Sequence, residues 1–116
     1  MVKLRLEWPD RKLSPNSRVY RAVKAQAIKE ARTLALIQAR NAGIIIPDGK
    51  LEMRLLFCPP DKRHRDQDNV LAMLKPSIDG IFLSCEADDK QIKRTVLEWG
   101  QVEKGGAVYV EIMELI

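Results

Sequence analysis

The feature that most restricts the fold of this chain is a stretch without Gly or Pro, from Arg18 to Ala42, that lies between two segments of alternating hydrophobicity. The stretch is rich in Ala and predicts a long helix. The alternating segments, residues 2–8 and Leu51–Cys58, predict β-strands whose apolar side chains share one face. A strand, a helix and a strand in this order form a β-α-β unit, in which a right-handed crossover makes the two strands parallel.

Local signals set the limits of this first helix. Asn16 or Ser17 is expected to cap its amino-terminal end, and Gly43 is expected to end it. The 3.6-residue period then divides its surface into an apolar face and a basic face. The apolar face comprises Val23, Ala27, Leu34 and Ile37.

The second half of the chain predicts one more helix and two more strands. Residues 69–82 have a helical pattern, which Pro76 should kink or split. Strands are expected at residues 91–99 and 107–116, joined by a Gly-Gly turn into an antiparallel hairpin. The order β-α-β-α-β-β predicts a single α/β (α+β) domain over residues 1–116. It has two layers, a mixed sheet with helices packed on one face.

Composition excludes several classes of protein. No apolar run approaches the roughly 18–20 residues that cross a bilayer, and the charged amino terminus lacks the apolar core of a signal peptide. We therefore expect a soluble, cytoplasmic protein without a membrane partner. The chain has 2 Cys and 1 His, so neither a disulfide framework nor a structural zinc site is expected. Cys58, at the end of an apolar strand, is expected to be a buried thiol.

Charge is distributed unevenly along the chain. Residues 1–65 contain 15 Lys and Arg against 6 Asp and Glu, a balance of +9, whereas residues 66–116 contain 5 against 10, a balance of −5. A basic half beside an acidic half suits a protein that holds a phosphate backbone around an acidic centre. Ordinary solvated surface charge explains the same numbers, and charge alone does not decide between the two.

The boundary between the two halves lies within Asp61–Asn69, which reads D-K-R-H-R-D-Q-D-N. Four basic or near-basic residues run into a close pair of acids, Asp66 and Asp68. A basic run attracts a polyanion, and short carboxylate side chains hold a hard divalent cation such as Mg²⁺. The same pattern is an ordinary helix cap, in which Asp68 accepts backbone N–H groups. Both interpretations remain open, and both can hold at once.

Three further residues are candidates for the same centre. Asp88 and Asp89 precede the third strand, and if the strands are neighbours, both acidic pairs meet at one corner of the sheet. Lys75 follows Asp68 by two helical turns and is expected to lean back towards it, where its charge would stabilise a transition state. An ion pair of Lys75 with Asp79 is an equally good interpretation, and Asp79 is expected to be structural.

In combination these motifs resemble the RusA-type Holliday junction endonucleases of bacteria and their phages. The family pattern is a basic run and D-x-D-N, then a helix with K-P/A-x-x-D, then D-D-x-Q-I/V entering a strand. This chain has R-H-R-D-Q-D-N at residues 63–69, K-P-S-I-D-G at residues 75–80 and D-D-K-Q-I at residues 88–92. The segment L-S-P-N at residues 13–16 is similar to the family's loop before its first helix. The resemblance therefore covers nearly the whole chain.

The resemblance implies a homodimeric, Mg²⁺-dependent endonuclease that cuts four-way DNA junctions by paired nicks in recombination and repair, with Mn²⁺ able to replace Mg²⁺. It also implies a bacterial or prophage origin. The family's metal-binding aspartates correspond to Asp66, Asp68 and Asp89, with Asp88 as a further ligand. Its catalytic helix lysine corresponds to Lys75. In the family that Lys follows the second Asp by four positions, whereas here it follows by seven.

The resulting hypothesis is in-line attack of a metal-activated water on the scissile phosphate, with Lys75 stabilising charge. The residues expected to hold DNA are Lys62, Arg63, His64, Arg65, Asn69, Arg21, Lys24 and Arg32. Two alternatives remain: a branched-DNA-binding protein without cleavage activity, and a less selective nuclease that cuts flaps and other branched DNA. A homodimer suits a four-way junction, because two symmetric cut sites match two active sites related by a twofold axis.

Overall fold

The computed structural model describes every residue from Met1 to Ile116 and contains one mixed sheet of four strands with two helices. The strands are β1 (Val2–Glu7), β2 (Leu51–Cys58), β3 (Ile92–Trp99) and β4 (Ala107–Glu114). The helices are α1 (Arg21–Asn41) and α2 (Gln67–Ser84), and short 3₁₀ turns lie at Arg11–Leu13 and Asp89–Gln91. The predicted order of elements and the two-layer α/β architecture are confirmed.

The strand order is β1-β4-β2-β3, with β4 antiparallel to both β1 and β2, and β3 parallel to β2. The predicted β3–β4 hairpin is therefore wrong, because β2 separates these strands. β1 and β2 run in the same direction as predicted, but β4 lies between them. Burial explains this order: Val108, Val110 and Ile112 of β4 are at most 1% exposed, as suits a central strand. Most of β3 is exposed or half-buried, as suits an edge.

The core lies between the sheet and the two helices. Leu55 and Phe57 of β2 pack in one cluster with Leu74 and Ile81 of α2 and with Ala39 of α1, and all five are at most 1% exposed. Removing a large apolar side chain of this kind from water stabilises the folded state by about 1.5–3 kcal/mol. This burial fixes α2 across the sheet, and with it the residues that α2 carries.

The first helix begins later than predicted and has a different buried face. Its cap position is Tyr20, without a side-chain hydrogen bond, so neither Asn16 nor Ser17 caps it. The residues that α1 buries are small, namely Ala27, Ala35 and Ala39. The larger residues of the predicted apolar face are 40–48% exposed; they are Val23, Leu34 and Ile37.

Close contact between the helices explains why α1 buries alanines. The backbone of α2 at Gly80 approaches the backbone of α1 so closely that a Cβ atom on Gly80 would overlap the carbonyl oxygen of Arg32. Two helices at this separation leave no room for large side chains between them. The larger apolar residues of α1 are therefore displaced to its outer surface.

Pro76 lies inside α2 and does not split it. Proline cannot donate the helical hydrogen bond to the residue four positions earlier, which is Ala72. Ala72 is exposed, so water can satisfy its carbonyl group. The burial of residues on both sides of Pro76, such as Leu74 and Ile78, outweighs the local cost and keeps the helix continuous.

Two remaining expectations concern the cysteines and membranes. Cys58 is buried and unpaired, as predicted, and Cys85 is also free. Burial raises the pKa of the Cys58 thiol, which keeps it protonated. Neither helix combines the length and hydrophobicity that a membrane-spanning segment needs.

Candidate functional site

The loop between β2 and α2 carries the basic run and is folded around the side chain of Asp61. This carboxylate accepts the backbone N–H of Arg63 at 2.9 Å, and it pairs with the guanidinium groups of Arg63 at 3.1 Å and Arg65 at 2.9 Å. These donors, above all the Arg63 side chain, hold the pKa of Asp61 well below its usual range. Asp61 therefore determines the shape of the loop, a role that the sequence pattern did not reveal.

Arg65 anchors the same loop to the end of the sheet. It donates to the carbonyl oxygens of Asp61 at 3.2 Å and Arg63 at 3.0 Å. Its guanidinium carbon lies 5.5 Å from the centroid of the Trp8 ring, which is within cation–π range. Only 19% of the Arg65 side chain is exposed. Contacts within the protein thus engage most of Arg65, and its contact with DNA stays a prediction.

Asp66 occupies the cap position of α2 but does not cap it with its side chain. Its carboxylate oxygen lies 3.1 Å from Nε2 of His64, and 60% of the Asp66 side chain is exposed. Asp68 is also exposed, in the first turn of α2, and accepts the backbone N–H of Asn69 at 3.0 Å. Asp68 lies inside α2 and not at its cap, so the expectation that Asp68 caps the helix is wrong, although the helix dipole favours its charge there. Neither carboxylate caps the helix, and both are exposed.

Lys75, in the middle of α2, joins this helix to the segment before β3. Its ammonium group donates to Oδ1 of Asp79 at 3.0 Å and to the carboxylate of Asp89. Partial burial acts to lower the pKa of Lys75, but the carboxylates of Asp89 and Asp79 outweigh it, and the net shift is upward. The Lys75 ammonium in turn lowers the pKa of Asp89. Lys75 therefore pairs with acids on its carboxyl-terminal side instead of leaning back towards Asp68.

Asp88 shapes the turn that precedes β3. Its carboxylate accepts the backbone N–H of Lys90 at 2.9 Å, and the Gln91 side chain accepts the backbone N–H of Asp88 at 3.3 Å. The Gln91 amide also donates to the carbonyl oxygens of Pro47 and Gly49, at 3.0 and 2.9 Å, just before β2. Asp88 is thus a capping residue in this turn. The turn is fastened to the edge of the sheet where β2 and β3 begin.

The two acidic pairs lie at opposite ends of α2. Asp66 and Asp68 follow the last residue of β2, whereas Asp88 and Asp89 precede the first residue of β3. The expectation that both pairs meet at one corner of the sheet is wrong, because β2 and β3 are parallel and α2 runs back between them. Lys75 draws Asp89 towards mid-helix, yet Lys75 itself lies about 10 Å along the axis from Asp68. No three His, Cys, Asp or Glu side chains lie close enough together to hold a metal ion.

Of the side chains predicted to contact DNA, those of the loop are the most accessible. The side chains of Arg63 and His64 are 79% and 90% exposed, and Lys62 is exposed as well. On α1, Arg21 is exposed at the first helical position, whereas the ammonium group of Lys24 donates to a backbone carbonyl of the preceding loop at 3.2 Å. The loop and the start of α1 therefore present cations to solvent.

Arg32 lies on a different surface from the basic loop. It borders a shallow cavity of about 440 Å³ whose lining also includes Asp79, Asp88 and Asp89. This half-buried cation therefore lies beside the acids at the carboxyl-terminal end of α2. The structure does not bring Arg32 together with the loop cations.

A larger cavity, of about 510 Å³, adjoins the loop. The end of β1, the first 3₁₀ turn, the loop and the start of α2 contribute to its lining. The polar and aromatic residues among them are Trp8, Arg11, Ser14, Arg63, His64 and Asn69, with Arg65 and Asp66 beside them. Neither Trp8 nor Arg11 belongs to a motif, and only the paired ends of β1, β4 and β2 bring them to the loop.

Comparison with known proteins places the chain among relatives without assigning an activity. A protein of Xylella fastidiosa (strain Temecula1), described as an uncharacterized protein, is 37% identical over 116 residues. The match covers 97% of this chain and 76% of the relative. No family model matches the chain.

Proposed function

We propose that this chain, which belongs to the same family as the Xylella fastidiosa protein, is a Mg²⁺-dependent endonuclease that resolves four-way DNA junctions. The observation that carries the proposal is the position of Asp66 and Asp68. Two exposed carboxylates follow directly on a loop whose exposed Arg63 and His64 side chains suit a phosphate backbone. The order of motifs along the chain adds the resemblance to RusA-type nucleases.

The donor set suits Mg²⁺ in its chemistry. Asp66 and Asp68 offer hard carboxylate oxygens, which Mg²⁺ binds together with water and substrate phosphate. When bound, the ion supplies an activated water and neutralises charge on the attacked phosphate. Asp66 and Asp68 would hold it, while the loop cations position the DNA backbone. Mn²⁺, which also prefers carboxylate and water ligands, is expected to replace Mg²⁺.

Asp89 and Lys75 take part in the proposal as a pair. The ammonium group of Lys75 already holds the Asp89 carboxylate, so in one chain neither group reaches Asp66 and Asp68. Joint use of all these residues requires a second copy of the chain, which can place its own Asp89 and Lys75 beside the Asp66–Asp68 pair of the first. The proposal therefore includes a homodimer.

The exposed apolar side chains of α1 supply a surface for such a dimer. Leu34 and Ile37 are 45% and 48% exposed, and they lie one helical turn apart on the outer side of the helix. Burying this surface against a second copy removes apolar area from water. A twofold dimer also matches the symmetry of a four-way junction.

A branched-DNA-binding protein without cleavage activity is the second candidate. It is favoured by the ion pair of Asp89 with Lys75, which gives this acid a partner other than a metal ion. A less selective nuclease, active on flaps and other branched DNA, is the remaining alternative.

One set of assays separates these functions. The protein is incubated with a four-way junction, a flap and a linear duplex of the same length, each with Mg²⁺, with Mn²⁺ or with EDTA. The proposal predicts paired, symmetric nicks in the junction that require the metal ion. Junction binding without nicks in any metal indicates the binding protein, and equal cleavage of all branched substrates indicates the less selective nuclease.

The contribution of Asp89 is tested by mixing two inactive chains. Homodimers of Asp66→Asn or of Asp89→Asn should each be inactive. If a site combines Asp66 of one chain with Asp89 of the other, a mixed dimer of the two variants has one intact site, and nicking of one strand returns. If mixing restores no nicking, Asp89 does not act across the dimer.

A further inference from the structure

The cavity beside the basic loop differs in character from a simple phosphate site. Its floor is apolar and includes Met73, which is 9% exposed, and the indole ring of Trp8. Its rim is cationic, with Arg11 and Arg63 on different segments of the chain. A volume of about 510 Å³ is in the range of small-molecule sites and far exceeds the needs of one phosphate group.

Two polar side chains of this lining are uncommitted. The guanidinium group of Arg11 forms no ion pair with any acidic side chain. The side-chain carboxamide of Asn69 forms no hydrogen bond within the protein; only the backbone N–H of Asn69 does so. Arg63 and Arg65, in contrast, pair with Asp61. An exposed guanidinium offers a fork of donors to an anion, and a free carboxamide offers both a donor and an acceptor to a polar edge.

We propose that this cavity binds one unstacked nucleotide of the DNA strand that the protein cuts. A nucleotide joins a flat ring with a hydrogen-bonding edge to an anionic phosphate. The cavity supplies an apolar, aromatic floor near Trp8 for the ring, the Asn69 carboxamide for its edge and the Arg11 guanidinium for the phosphate. A free phosphate would leave the apolar floor without a contact. A peptide backbone, which is uncharged, would leave the cationic rim without a partner.

The inference rests on the proposed function and deepens it, because Asp66 lines the same cavity. A nucleotide held here lies next to the phosphate that the Asp66–Asp68 pair would address. Removing a base from its stack costs a few kcal/mol in duplex DNA and least where pairing is already disturbed. The exchange point of a four-way junction is such a place. The cavity therefore favours branched over linear DNA and favours the base that its polar groups accept.

The test uses the full chain and the four deoxynucleoside 5′-monophosphates. Trp8 reports binding by its fluorescence in a Trp99→Phe background, which removes the other indole and keeps an aromatic ring against Phe57. The probes are each nucleotide in turn and inorganic phosphate. The matched control is Lys3→Ala, which removes an exposed cation at the far end of β1.

Nucleotides should quench Trp8 in a saturable way, with at least one bound about tenfold more tightly than inorganic phosphate. Arg11→Ala and Asn69→Ala should each weaken nucleotide binding about fivefold or more, and Lys3→Ala should leave it unchanged. Quenching that does not saturate, or equal affinity for inorganic phosphate, overturns the inference. Because this test measures no cleavage, its outcome can be told apart from a failure of the proposed function. If the chain binds nucleotides but cuts no junction, the nucleotide site is supported and the nuclease activity is ruled out.

Discussion

Lys75 of α2 forms an ion pair with Asp89, fourteen residues further along the chain. This contact ties the helix that follows the D-x-D-N motif to the D-D turn before β3. It also gives the Asp89 carboxylate an ammonium group as its partner, whereas the family resemblance implies a metal ion as the partner of this carboxylate. Under the proposed function, Lys75 and a divalent cation would therefore compete for Asp89 in a single chain.

Removing this ammonium group should strengthen divalent-ion binding. In Lys75→Met the Asp89 carboxylate loses its cation, so Mn²⁺ affinity measured by titration calorimetry should rise about three- to tenfold. Junction cleavage should nevertheless fall by about 10²-fold, because the charge that assists the reaction is lost.

The matched control is Lys90→Met, which removes an exposed lysine next to Asp89 without touching the ion pair. If the two variants change Mn²⁺ affinity equally, general charge explains the effect. The competition between Lys75 and the metal ion is then absent.

Asp61 should make the stability of the loop depend on pH. Its pKa is lowered in the folded chain, chiefly by the Arg63 side chain, so its stabilising effect is complete above the unfolded pKa of about 3.9. The effect is lost as pH falls below that value towards the lowered folded pKa. The difference in Tm between the wild type and Asp61→Asn should be constant from pH 7 to 5 and should shrink below about pH 4. A difference that stays constant at pH 3 is evidence against this role.

Gly106 should be sensitive to substitution because the chain between β3 and β4 passes close to Trp8. A Cβ atom on Gly106 would lie 2.7 Å from Cβ of Trp8, and its φ is +75°. Gly105 has a similar φ of +78° but open space around it. Gly105→Ala should therefore cost about 1 kcal/mol in the free energy of unfolding. Gly106→Ala should cost about 1–3 kcal/mol more.

Urea denaturation of the two variants measures this difference directly. The two glycines have similar positive φ angles, so the difference between their costs reports the close approach of Gly106 to Trp8 and Pro60. Equal costs would mean that these side chains move away freely, and that this wall of the proposed nucleotide site is not fixed.

The sequence predicted the helices and strands well, but it predicted poorly which strands are neighbours in the sheet. β2 matches its predicted limits, because alternating apolar residues and the two prolines that follow are local signals. The place of β4 between β1 and β2 depends on which strands pair on both of their edges, and this is decided only when the whole sheet assembles. The predicted β3–β4 hairpin failed for that reason.

In the candidate site, too, local motifs were predicted from the sequence and contacts between distant segments were not. Asp66 and Asp68 were found from one local motif, and the structure leaves both exposed. Asp88 and Asp89 are separated from them because β2 and β3 are parallel, so that α2, 18 residues or about 27 Å long, runs back between the end of β2 and the start of β3. Trp8 and Asp61 were missed because their roles rest on contacts, a cation–π pair and a folded loop, that carry no signal in spacing.

The exposed apolar pair on α1 should control the association of two chains. Leu34→Glu with Ile37→Glu places two charges in the proposed interface, which should shift the protein from dimer to monomer in sedimentation equilibrium at micromolar concentration. Val102→Glu is the control, since Val102 is similarly exposed, at 46%, in the segment between β3 and β4. A wild-type chain that is already monomeric at about 100 μM contradicts the dimer.

Junction cleavage by Asp66→Asn tests the central claim most directly. The substitution removes one carboxylate charge and keeps the size of the side chain. Because the Asp66 side chain does not cap α2, no stabilising cap is lost. Asp48→Asn, at an exposed aspartate in the turn before β2, is the matched control. With saturating Mg²⁺, Asp66→Asn should nick a four-way junction at least about 100-fold more slowly than the wild type while binding it normally, and Asp48→Asn should match the wild type. Wild-type cleavage by Asp66→Asn, or a wild-type rate that EDTA does not abolish, contradicts the account.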